Sequence, residues 1–451
     1  MSASKPALYE QITLESNDQE RTVDLRLGTV SVDYYEDIFS PTITAKIRVV
    51  DTGDSMSPKD STDSSETDGA KQSIYSGLPI RGGERLILKI LDKGKSYNGE
   101  EKTGLDFSTD PSKYLYVSNI SEVLSGTQRE SFLLNLVSRE AITNETARVI
   151  KKYTGSIAQS VEKICVDVMK IDRSRIYVHD TKHPYSFIGN NRKPFSILVW
   201  LASKAVPAVD KATAGFVFYQ TQDGFSFISI DDMIKQESIA TYVYTEVIQS
   251  EIDRNNDFRI LSYTTDKNEN LIEKLRLGTY ASHRMYFNPL TFTFTDPTQG
   301  LFKLKSDEMD NLGREIELPP ISDAVAIPLA DKRLNDVPTR ILSGVVDIGT
   351  MNRECSKEPN ADPGLYQSQA IMRYNVLLTQ TLSMTVPCNT DLRAGDIITC
   401  EFPKISRSDS GELDGEISGK YIIKELWHHF EPDGSYTSMK LIRDTFGFYG
   451  Q

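Results

Sequence analysis

The sequence contains few of the residues that build metal sites and disulfide scaffolds. Its 451 residues include 4 cysteines and 5 histidines. The cysteines are irregularly spaced, which favours free thiols in a protein made in a reducing cytoplasm: Cys165, Cys355, Cys388 and Cys400. No run of about 18 apolar residues is present, so we expect no membrane span. Met1–Glu10 has no apolar core of the kind found in signal peptides, so we expect no secretion signal.

The sequence also lacks the short motifs of common hydrolases, nucleotide-binding proteins and redox proteins. It contains no G-x-S-x-G, H-E-x-x-H, Walker A or C-x-x-C pattern. The strongest metal candidate is the pair His428 and His429 with Cys388 and Cys400, but adjacent residues on a strand point to opposite faces. The other histidines stand beside no recognisable nucleophile motif: His179, His183 and His283. We therefore predict no catalytic, cofactor-binding or metal-binding residues.

Size and charge narrow the class of protein further. With 39% hydrophobic and 25% charged residues, the composition is that of a globular chain. A length of 451 residues predicts about three or four domains. The net charge of −13 argues against a nucleic-acid clamp, which needs basic residues along the phosphates.

The clearest pattern that is present is a ten-residue stretch that occurs twice. Arg393–Phe402 and Arg81–Ile90 share the order arginine, small residue, glycine, acid, and then apolar residues at alternate positions. The apolar positions correspond in order: Leu86, Leu88 and Ile90 to Ile398, Cys400 and Phe402. Two unrelated hairpins could match in this way by chance. A genuine repeat would indicate one small β-module used twice.

Residues 11–138 consist mainly of short β-prone runs, interrupted by one polar stretch. The runs are Thr22–Leu27, Val30–Tyr35, Thr42–Asp51, Glu84–Leu91, Tyr114–Leu124 and Arg129–Ser138. Asp51–Lys71 is rich in Ser, Asp and Thr, and has almost no apolar residue to offset the entropy of ordering it. We predict a long flexible loop there.

The next hundred residues show helical periodicity and one hairpin. Ser156 is a candidate N-cap for a first helix, and Pro194 suits the first turn of a second one. Phe216–Gln220 and Phe225–Ile230 then flank an Asp-Gly turn, which predicts a hairpin. Its aromatic residues could stack on nucleic-acid bases, but a core face against a helix is the favoured interpretation. Together these signals predict a small α/β unit.

Strand signals return in the last part of the chain. They run from about Ile248 to Asp296, although Leu271–Leu277 fits a helix or a strand equally well. Residues 300–370 are polar and poorly patterned, and we interpret them as an irregular insertion. The remaining runs predict an antiparallel barrel or meander around the turn at Arg393: Leu382–Val386, Tyr421–Phe430 and Tyr436–Arg443.

Several of these stretches together resemble the baseplate central-spike hub of contractile-tailed, T-even-like phages. In chain order they are Pro194–Trp200, Gly215–Tyr219, Asp223–Asp231, Leu275–Arg284, Leu392–Phe402, Gly419–Ile423 and Leu441–Asp444. The similarity spans most of the chain, but residues 51–71 and 300–370 have no counterpart. In that family each chain contains two tube-type β-barrels, and their duplication would leave the repeat at Arg81 and Arg393. The family has no active site to carry over, so the resemblance implies that the chain is not an enzyme.

The resemblance implies a mainly β (α+β) fold with two tube-type antiparallel β-barrels, a small α/β domain and an irregular insertion. The expected divisions are a first barrel at 1–138 with its loop at 51–71, a central α/β domain at 139–247, a discontinuous second barrel at 248–299 and 371–451, and an insertion at 300–370.

The function implied by the resemblance is that of a structural hub. Three chains would form a ring of six barrels that adapts the sixfold tail tube to the threefold central spike and surrounds the DNA channel. The expected partners are the spike protein, tail-tube or tube-initiator proteins and baseplate wedge proteins, with no cofactor, no specific DNA binding and no membrane insertion. The protein would be assembled in the host cytoplasm and reside in the virion. Two alternatives stay open: the hub part of a related contractile injection or secretion machine, and a tail-associated enzyme that degrades cell wall or polysaccharide.

Overall fold

The computed structural model describes residues 6–53, 73–78, 80–92, 99, 102–209, 213–245, 257–267, 270–289, 292–294, 300–305, 309–314, 334–345, 363–404 and 412–447. The chain is mainly β, as predicted. Within those ranges no helix combines the length and the apolar character needed to cross a membrane. Nearly all of the predicted loop at 51–71 lies outside the described residues, and so does Cys355.

The described part of the first 138 residues contributes eight strands to a 15-stranded sheet. These elements are β1 (Leu8–Glu15), β2 (Thr22–Asp24), β3 (Thr29–Asp37), β4 (Thr44–Asp51), α1 (Ile74–Gly77), β5 (Arg85–Leu91), β6 (Leu105–Phe107), β7 (Leu115–Ser125) and β8 (Glu130–Ser138). Along the sheet they run β2-β1-β5-β7-β8-β4-β3, with β6 beside β5. Alternate residues of these strands bury one apolar core, so we call this set the first module.

The central unit has its own core. Its elements are α2 (Arg139–Thr146), β9 (Lys152–Tyr153), α3 (Ile157–Lys163), β10 (Ile176–Val178), β11 (Phe187–Ile188), α4 (Pro194–Ala202), β12 (Phe216–Gln220), β13 (Phe225–Ser229) and α5 (Ile230–Ile234). Ser156 caps α3 by accepting a hydrogen bond from the main-chain N of Gln159 at 3.3 Å, and α4 begins at Pro194, as predicted. The hairpin aromatics are buried with α3 and α4, which confirms the core interpretation: Phe216, Phe218, Phe225 and Phe227.

The rest of the chain completes the large sheet and adds a small one. Its elements are β14 (Ser238–Tyr244), β15 (Arg259–Ile260), β16 (Ser262–Lys267), α6 (Leu271–Leu277), β17 (Ala281–Asn288), β18 (Thr293–Phe294), β19 (Leu301–Lys303), β20 (Arg340–Val345), α7 (Pro363–Leu377), β21 (Gln380–Pro387), β22 (Ile397–Glu401), β23 (Gly419–Glu431) and β24 (Gly434–Arg443). Strands β14, β22, β23, β24, β21 and β16 follow one another across the sheet, and we call them, with β15, the second module. Within the described residues the sheet does not close into a barrel.

The small sheet falls partly in the region predicted to be irregular. Strand β17 pairs with β18, β19 and β20, and its inner face packs against α7. Residues 300–370 therefore contain two strands and the start of a helix in their described part. Leu271–Leu277, which fitted either type of element, is a helix that Gly278 ends with a φ of 73°.

The two modules repeat the same topology. In the first, neighbouring strands run β3-β4-β8-β7-β5, and in the second they run β16-β21-β24-β23-β22. The order along the chain is also the same, and every neighbouring pair in both series is antiparallel. The modules differ at the next strand, because β1 is antiparallel to β5 whereas β14 is parallel to β22.

The turns that precede β5 and β22 are also copies of each other. In both, the acid accepts a hydrogen bond at 2.7 Å from the main-chain N of the arginine three residues earlier, at Glu84 and at Asp396. In both, the glycine has a positive φ, 91° at Gly83 and 95° at Gly395. Each glycine N donates to the neighbouring strand, to Val117 O at 2.7 Å and to Ile423 O at 2.8 Å. The six apolar positions of the sequence repeat are all 0% exposed. The repeat in the sequence is therefore a repeat in the structure.

Candidate assembly seam

Strand β23 joins the two modules because its halves have different partners. Its N-terminal half pairs with β22. A bulge after Ile423 separates this half from the C-terminal half, which pairs with β3 from Glu425 opposite Asp37 to Phe430 opposite Val32. We call the contact between β23 and β3 the seam. It makes the two modules one continuous sheet and buries Phe430 in the core of the first module.

A buried carboxylate, Glu36 of β3, lies beneath the seam. It accepts hydrogen bonds at 2.8 Å from the main-chain N of Gln222 and of Ala394, and one at 2.7 Å from the hydroxyl of Tyr34. Burial raises the pKa of Glu36, and the positive charge of Arg393 opposes that shift. Because its partners come from both modules and from the central hairpin, this one side chain holds three parts of the chain together.

The turn before β22 contacts the central hairpin directly. The Nε atom of Arg393 donates to Asp223 at 2.8 Å. Gly395 lies against the hydroxyl of Tyr219, and a Cβ atom added at Gly395 would overlap it. Burial raises the pKa of Asp396 to about 7. The turn is thus a packed part of the junction between the modules and the central unit.

A second buried ionic cluster fixes α7 against α5 and the end of β24. The side chain of Arg373 is fully buried, and its Nη1 atom donates to Asp444 at 3.1 Å. Its Nη2 atom donates to the main-chain oxygen of Asp310 at 2.6 Å and lies 2.7 Å from Oδ1 of Asp231, at an angle that is not that of a hydrogen bond. Burial raises the pKa of Asp444, and Arg373 opposes this shift. These pairings offset the cost of burying the charges.

The adjacent residues His428 and His429 point to opposite faces of β23, as predicted. His428 is fully buried with Nδ1 at 2.8 Å from the hydroxyl of Thr437, and burial lowers its pKa to about 3. His429 crosses the seam, with Nδ1 at 2.5 Å from Asp33 and Nε2 at 2.9 Å from Glu431. The hydrogen bond to Asp33 is the main cause of its raised pKa. The two imidazoles therefore face different surroundings and cannot share an ion.

The other residues considered from the sequence are not brought together. Cys388 and Cys400 are thiols whose pKa burial raises well above the ordinary value. His179 lies 2.8 Å from Asp232 and 2.8 Å from the hydroxyl of Tyr177, on the central unit. In the part of the chain that the structure describes, no group of three His, Cys, Asp or Glu residues is arranged to hold a metal ion.

The face of the sheet that looks away from the module cores is polar and forms a recess. The recess has a volume of about 720 Å³ and is lined by β3, β4, β16, β21, β23 and β24. Charged side chains of both signs line it: Asp37 and Glu425 are acidic, and Lys46 and Lys440 are basic. Trp427 lies among them and donates from Nε1 to Asp33 at 2.8 Å. This face therefore presents mixed charge rather than a basic surface.

Sequence reasoning missed the two buried carboxylate clusters. The signal for Glu36 was present, because Val32, Tyr34 and Glu36 occupy alternate positions of β3, on the side of the strand that is buried. A charged residue at the end of such a series needs buried partners. The partners themselves had no signal, since Gln222 and Ala394 are far from Glu36 in sequence and donate through the main chain.

No protein-family model matches the chain. A curated relative, described as the probable baseplate hub protein gp334 of Vibrio phage KVP40, is 18% identical over 331 residues, which cover 70% of this chain and 73% of the relative. The solved tail protein from Neisseria meningitidis MC58 aligns with 97% of this chain and 97% of its own length, at 10% identity and a TM-score of 0.50. The 43 kDa tail protein of prophage MuSo2 from Shewanella oneidensis covers 96% of this chain and 98% of its own length, at 9% identity and a TM-score of 0.48.

The similarity to the Vibrio phage protein confirms the resemblance to phage baseplate hub proteins that the sequence motifs indicated. The alignment with the Neisseria tail protein shows a shared fold over nearly the whole length of both chains.

Proposed function

We propose that this chain is the structural hub of a contractile-tail baseplate. Three copies would form a ring that adapts a sixfold tail tube to a threefold central spike and surrounds the DNA channel. The similarity to a phage baseplate hub protein supports the hub role. The trimer, the ring and the channel are steps beyond that similarity, and the duplicated module supports them.

The observation that carries the proposal is the repetition of one sheet topology within one chain. Two modules with the same strand order, joined by a seam, present two similar surfaces side by side. Three such chains would present six similar surfaces to a sixfold tube while keeping threefold symmetry toward the spike. We propose that the two modules are tube-type barrels, the first within 1–138 and the second formed by β14–β16 with β21–β24. The central unit and the small sheet of β17–β20 would lie outside the ring.

The remaining roles follow from this assignment. The hub would contact the central spike protein, the tail-tube or tube-initiator proteins and the baseplate wedge proteins, and it would be assembled in the host cytoplasm before it becomes part of the virion. DNA would pass through the channel without specific binding. We propose no catalytic activity, since the chain is similar to a structural baseplate protein, and the buried carboxylates of Glu36 and Asp444 are held by structural partners.

The mass of the purified protein in solution tests the proposal. We expect a species three times the 50.7 kDa of one chain, and electron-microscopic top views with six lobes and true threefold symmetry. A monomer at all concentrations up to those of assembly would contradict the ring. Turnover of purified peptidoglycan that disappears when one carboxylate is changed would instead indicate a tail-associated enzyme.

A further inference from the structure

The first part of the central unit carries a charge opposite in sign to that of the rest of the chain. Residues 139–207, which run from α2 to just beyond α4, contain 12 lysines and arginines against 6 aspartates and glutamates. Their formal charge is therefore +6, whereas the rest of the chain, with 39 basic and 58 acidic residues, carries −19. Such a local reversal of charge indicates a surface that attracts an anionic partner.

Part of this positive charge lies on a two-stranded ribbon formed by residues 148–152 and 188–192, which we call the basic ribbon. Strands β9 and β11 pair within it, with Ile188 opposite Lys152, and a bridge between Val149 and Arg192 extends the pairing. Neither segment contains an acidic residue. Four basic residues of the ribbon are exposed: Arg148, Lys151, Lys152 and Arg192.

The chain itself does little to neutralise these cations. Lys151 and Arg192 form no ion pair with any residue that the structure describes. Arg148 donates to the main-chain oxygens of Glu145 and Ala147, at 2.9 and 2.7 Å. The carboxylate of Glu145 forms its ion pair with Lys193, outside the ribbon. The ribbon therefore presents cations that can pair with carboxylates or phosphates of another molecule.

Two exposed isoleucines lie among the cations of the ribbon. Ile150 is 69% exposed and alternates with Arg148 and Lys152 along one strand. Ile188 is 42% exposed and lies opposite Lys152. The ribbon contains no aromatic residue that could stack on a nucleic-acid base. Isoleucine contributes nothing to a contact with phosphates, but it can pack against apolar side chains of a protein. The mixture therefore favours a protein as the partner.

The turn of the ribbon holds its backbone in one conformation. Asn190 and Asn191 have φ values of 49° and 57°, in the left-handed region that asparagine tolerates. The main-chain N of Arg192 donates to the oxygen of Gly189 at 3.1 Å and closes the turn. A Cβ atom added at Gly189 would overlap the main-chain oxygen of Val149, so the two strands approach closely. A surface that is already ordered loses little conformational entropy when a partner binds.

We propose that the basic ribbon is a docking surface for an acidic segment of another baseplate protein, one that carries apolar residues among its carboxylates. The carboxylates would pair with the four cations, and the apolar side chains would cover Ile150 and Ile188. This proposal rests on the proposed hub function, because in that function the central unit lies outside the ring, where other baseplate proteins are neighbours.

Binding of labelled peptides to the full chain, measured by fluorescence anisotropy, tests the proposal. The first peptide alternates glutamate with leucine, and the second alternates glutamate with serine. We expect the first to bind more tightly than the second, and its affinity to fall as salt is added. Lys151→Glu with Arg192→Glu should weaken binding of the first peptide by about tenfold or more. Ile150→Ser should remove much of the preference for the first peptide.

The matched control is Lys163→Glu with Lys170→Glu. It makes the same change of charge at two exposed positions of the central unit that lie outside the ribbon. Because salt screens charges that are not in contact with the peptide, the control should change the affinity by less than about twofold. Equal losses in the control and in the ribbon variant would show that only the overall charge matters, and would overturn the proposal.

Three further results would also overturn it. The first is equal affinity for the two peptides, which would show that the isoleucines are not used. The second is tighter binding of duplex DNA, or of vesicles containing phosphatidylserine, that the ribbon variant abolishes. That result would assign the ribbon to a nucleic acid or to a membrane. The third is a trimeric parent protein whose ribbon variant is a monomer, which would show that a second copy of the chain occupies the ribbon.

The mass in solution separates failure of this proposal from failure of the hub function. If the parent protein is trimeric and binds neither peptide, the docking surface is overturned and the hub function stands. If the parent protein is a monomer but binds the first peptide through the ribbon, the ring is contradicted and the docking surface is supported.

Discussion

At the scale of single residues, Gly395 meets two constraints at once. Its φ of 95° is unfavourable for any residue with a side chain, and an added Cβ atom would overlap the Tyr219 hydroxyl. We expect Gly395→Ala to lower the free energy of unfolding by on the order of 2–3 kcal/mol, measured by urea denaturation. The control is Gly53→Ala, where φ is 92° but no atom of the described residues lies within 4 Å of the added Cβ. That variant should lose only about 1 kcal/mol, from backbone strain. Equal losses in the two variants would show that contact with Tyr219 contributes nothing.

The two adjacent histidines of β23 should make the free energy of unfolding depend on pH in opposite directions. The raised pKa of His429 means that its contribution is complete below the ordinary value of about 6.5 and is lost as pH rises through the raised pKa. The pKa of His428 is lowered to about 3, so its contribution is present above about pH 6.5 and is lost as pH falls toward 3.

Two glutamine variants separate these effects by calorimetry. His429→Gln should lower the Tm most at about pH 6 and least at about pH 9, because the charged imidazole is the form that Asp33 stabilises. His428→Gln should show a Tm deficit that shrinks as pH falls from about 7 to 5, because the parent protein loses stability over that range. A deficit of His429→Gln that stays constant over the whole range would contradict the charged pairing.

At the scale of elements, the predictions from the sequence were correct for helix starts and turns that depend on neighbouring residues. The N-cap at Ser156, the proline at the start of α4 and the Asp-Gly hairpin were correct because each depends on residues close in the chain. The seam could not be predicted in the same way. Strand pairing is set by tertiary contacts, and the hydrogen bond from Trp427 to Asp33 spans 394 positions of sequence.

Helix α7 shows a second reason for failure. Its first half lies at the end of the region predicted to be irregular, 300–370, and its second half in the region predicted to be barrel. Several of its buried positions are polar: Ser368, Gln369 and Arg373. Buried polar residues remove the apolar stripe by which an amphipathic helix is found. One of them, Arg373, is paired in the structure with the carboxylates of Asp231 and Asp444. No local sequence pattern predicts this pairing.

The ionic cluster around Arg373 predicts how firmly α7 is held. Arg373→Met would leave two buried carboxylates without their cation, and we expect a loss of roughly 3–5 kcal/mol. In the Arg373→Met variant, hydrogen exchange should show that α7 opens before the strands of the large sheet. The matched control is Arg173→Met, because Arg173 pairs with Glu162 at a half-exposed position and should change stability by less than about 1 kcal/mol. Similar effects of the two variants would show that burial adds nothing to the pairing of Arg373.

At the scale of the whole molecule, the sheet separates an apolar face from a polar one. The apolar face closes the two module cores, and the polar face runs without a break across the seam. Its charged side chains beside the seam are of both signs, with four carboxylates and three lysines: Asp33, Asp37, Glu425 and Glu431, and Lys46, Lys424 and Lys440. If the proposed ring turns this face inward, its channel wall would carry more acidic than basic groups, consistent with the net charge of −13.

A wall with more acidic than basic groups would let DNA pass because it disfavours phosphate binding and the counterion release that drives such binding. We therefore expect the isolated protein to show no appreciable retention on duplex DNA at physiological salt. Asp37→Lys with Glu425→Lys, at positions opposite each other in the seam, should create retention that falls steeply with added salt. If these residues line the channel, the variant should retain linear duplexes, whose ends can enter, but not closed circular plasmid. Retention of both forms would place this face on the outside of the ring, and salt-sensitive retention by the unmodified protein would show a basic channel.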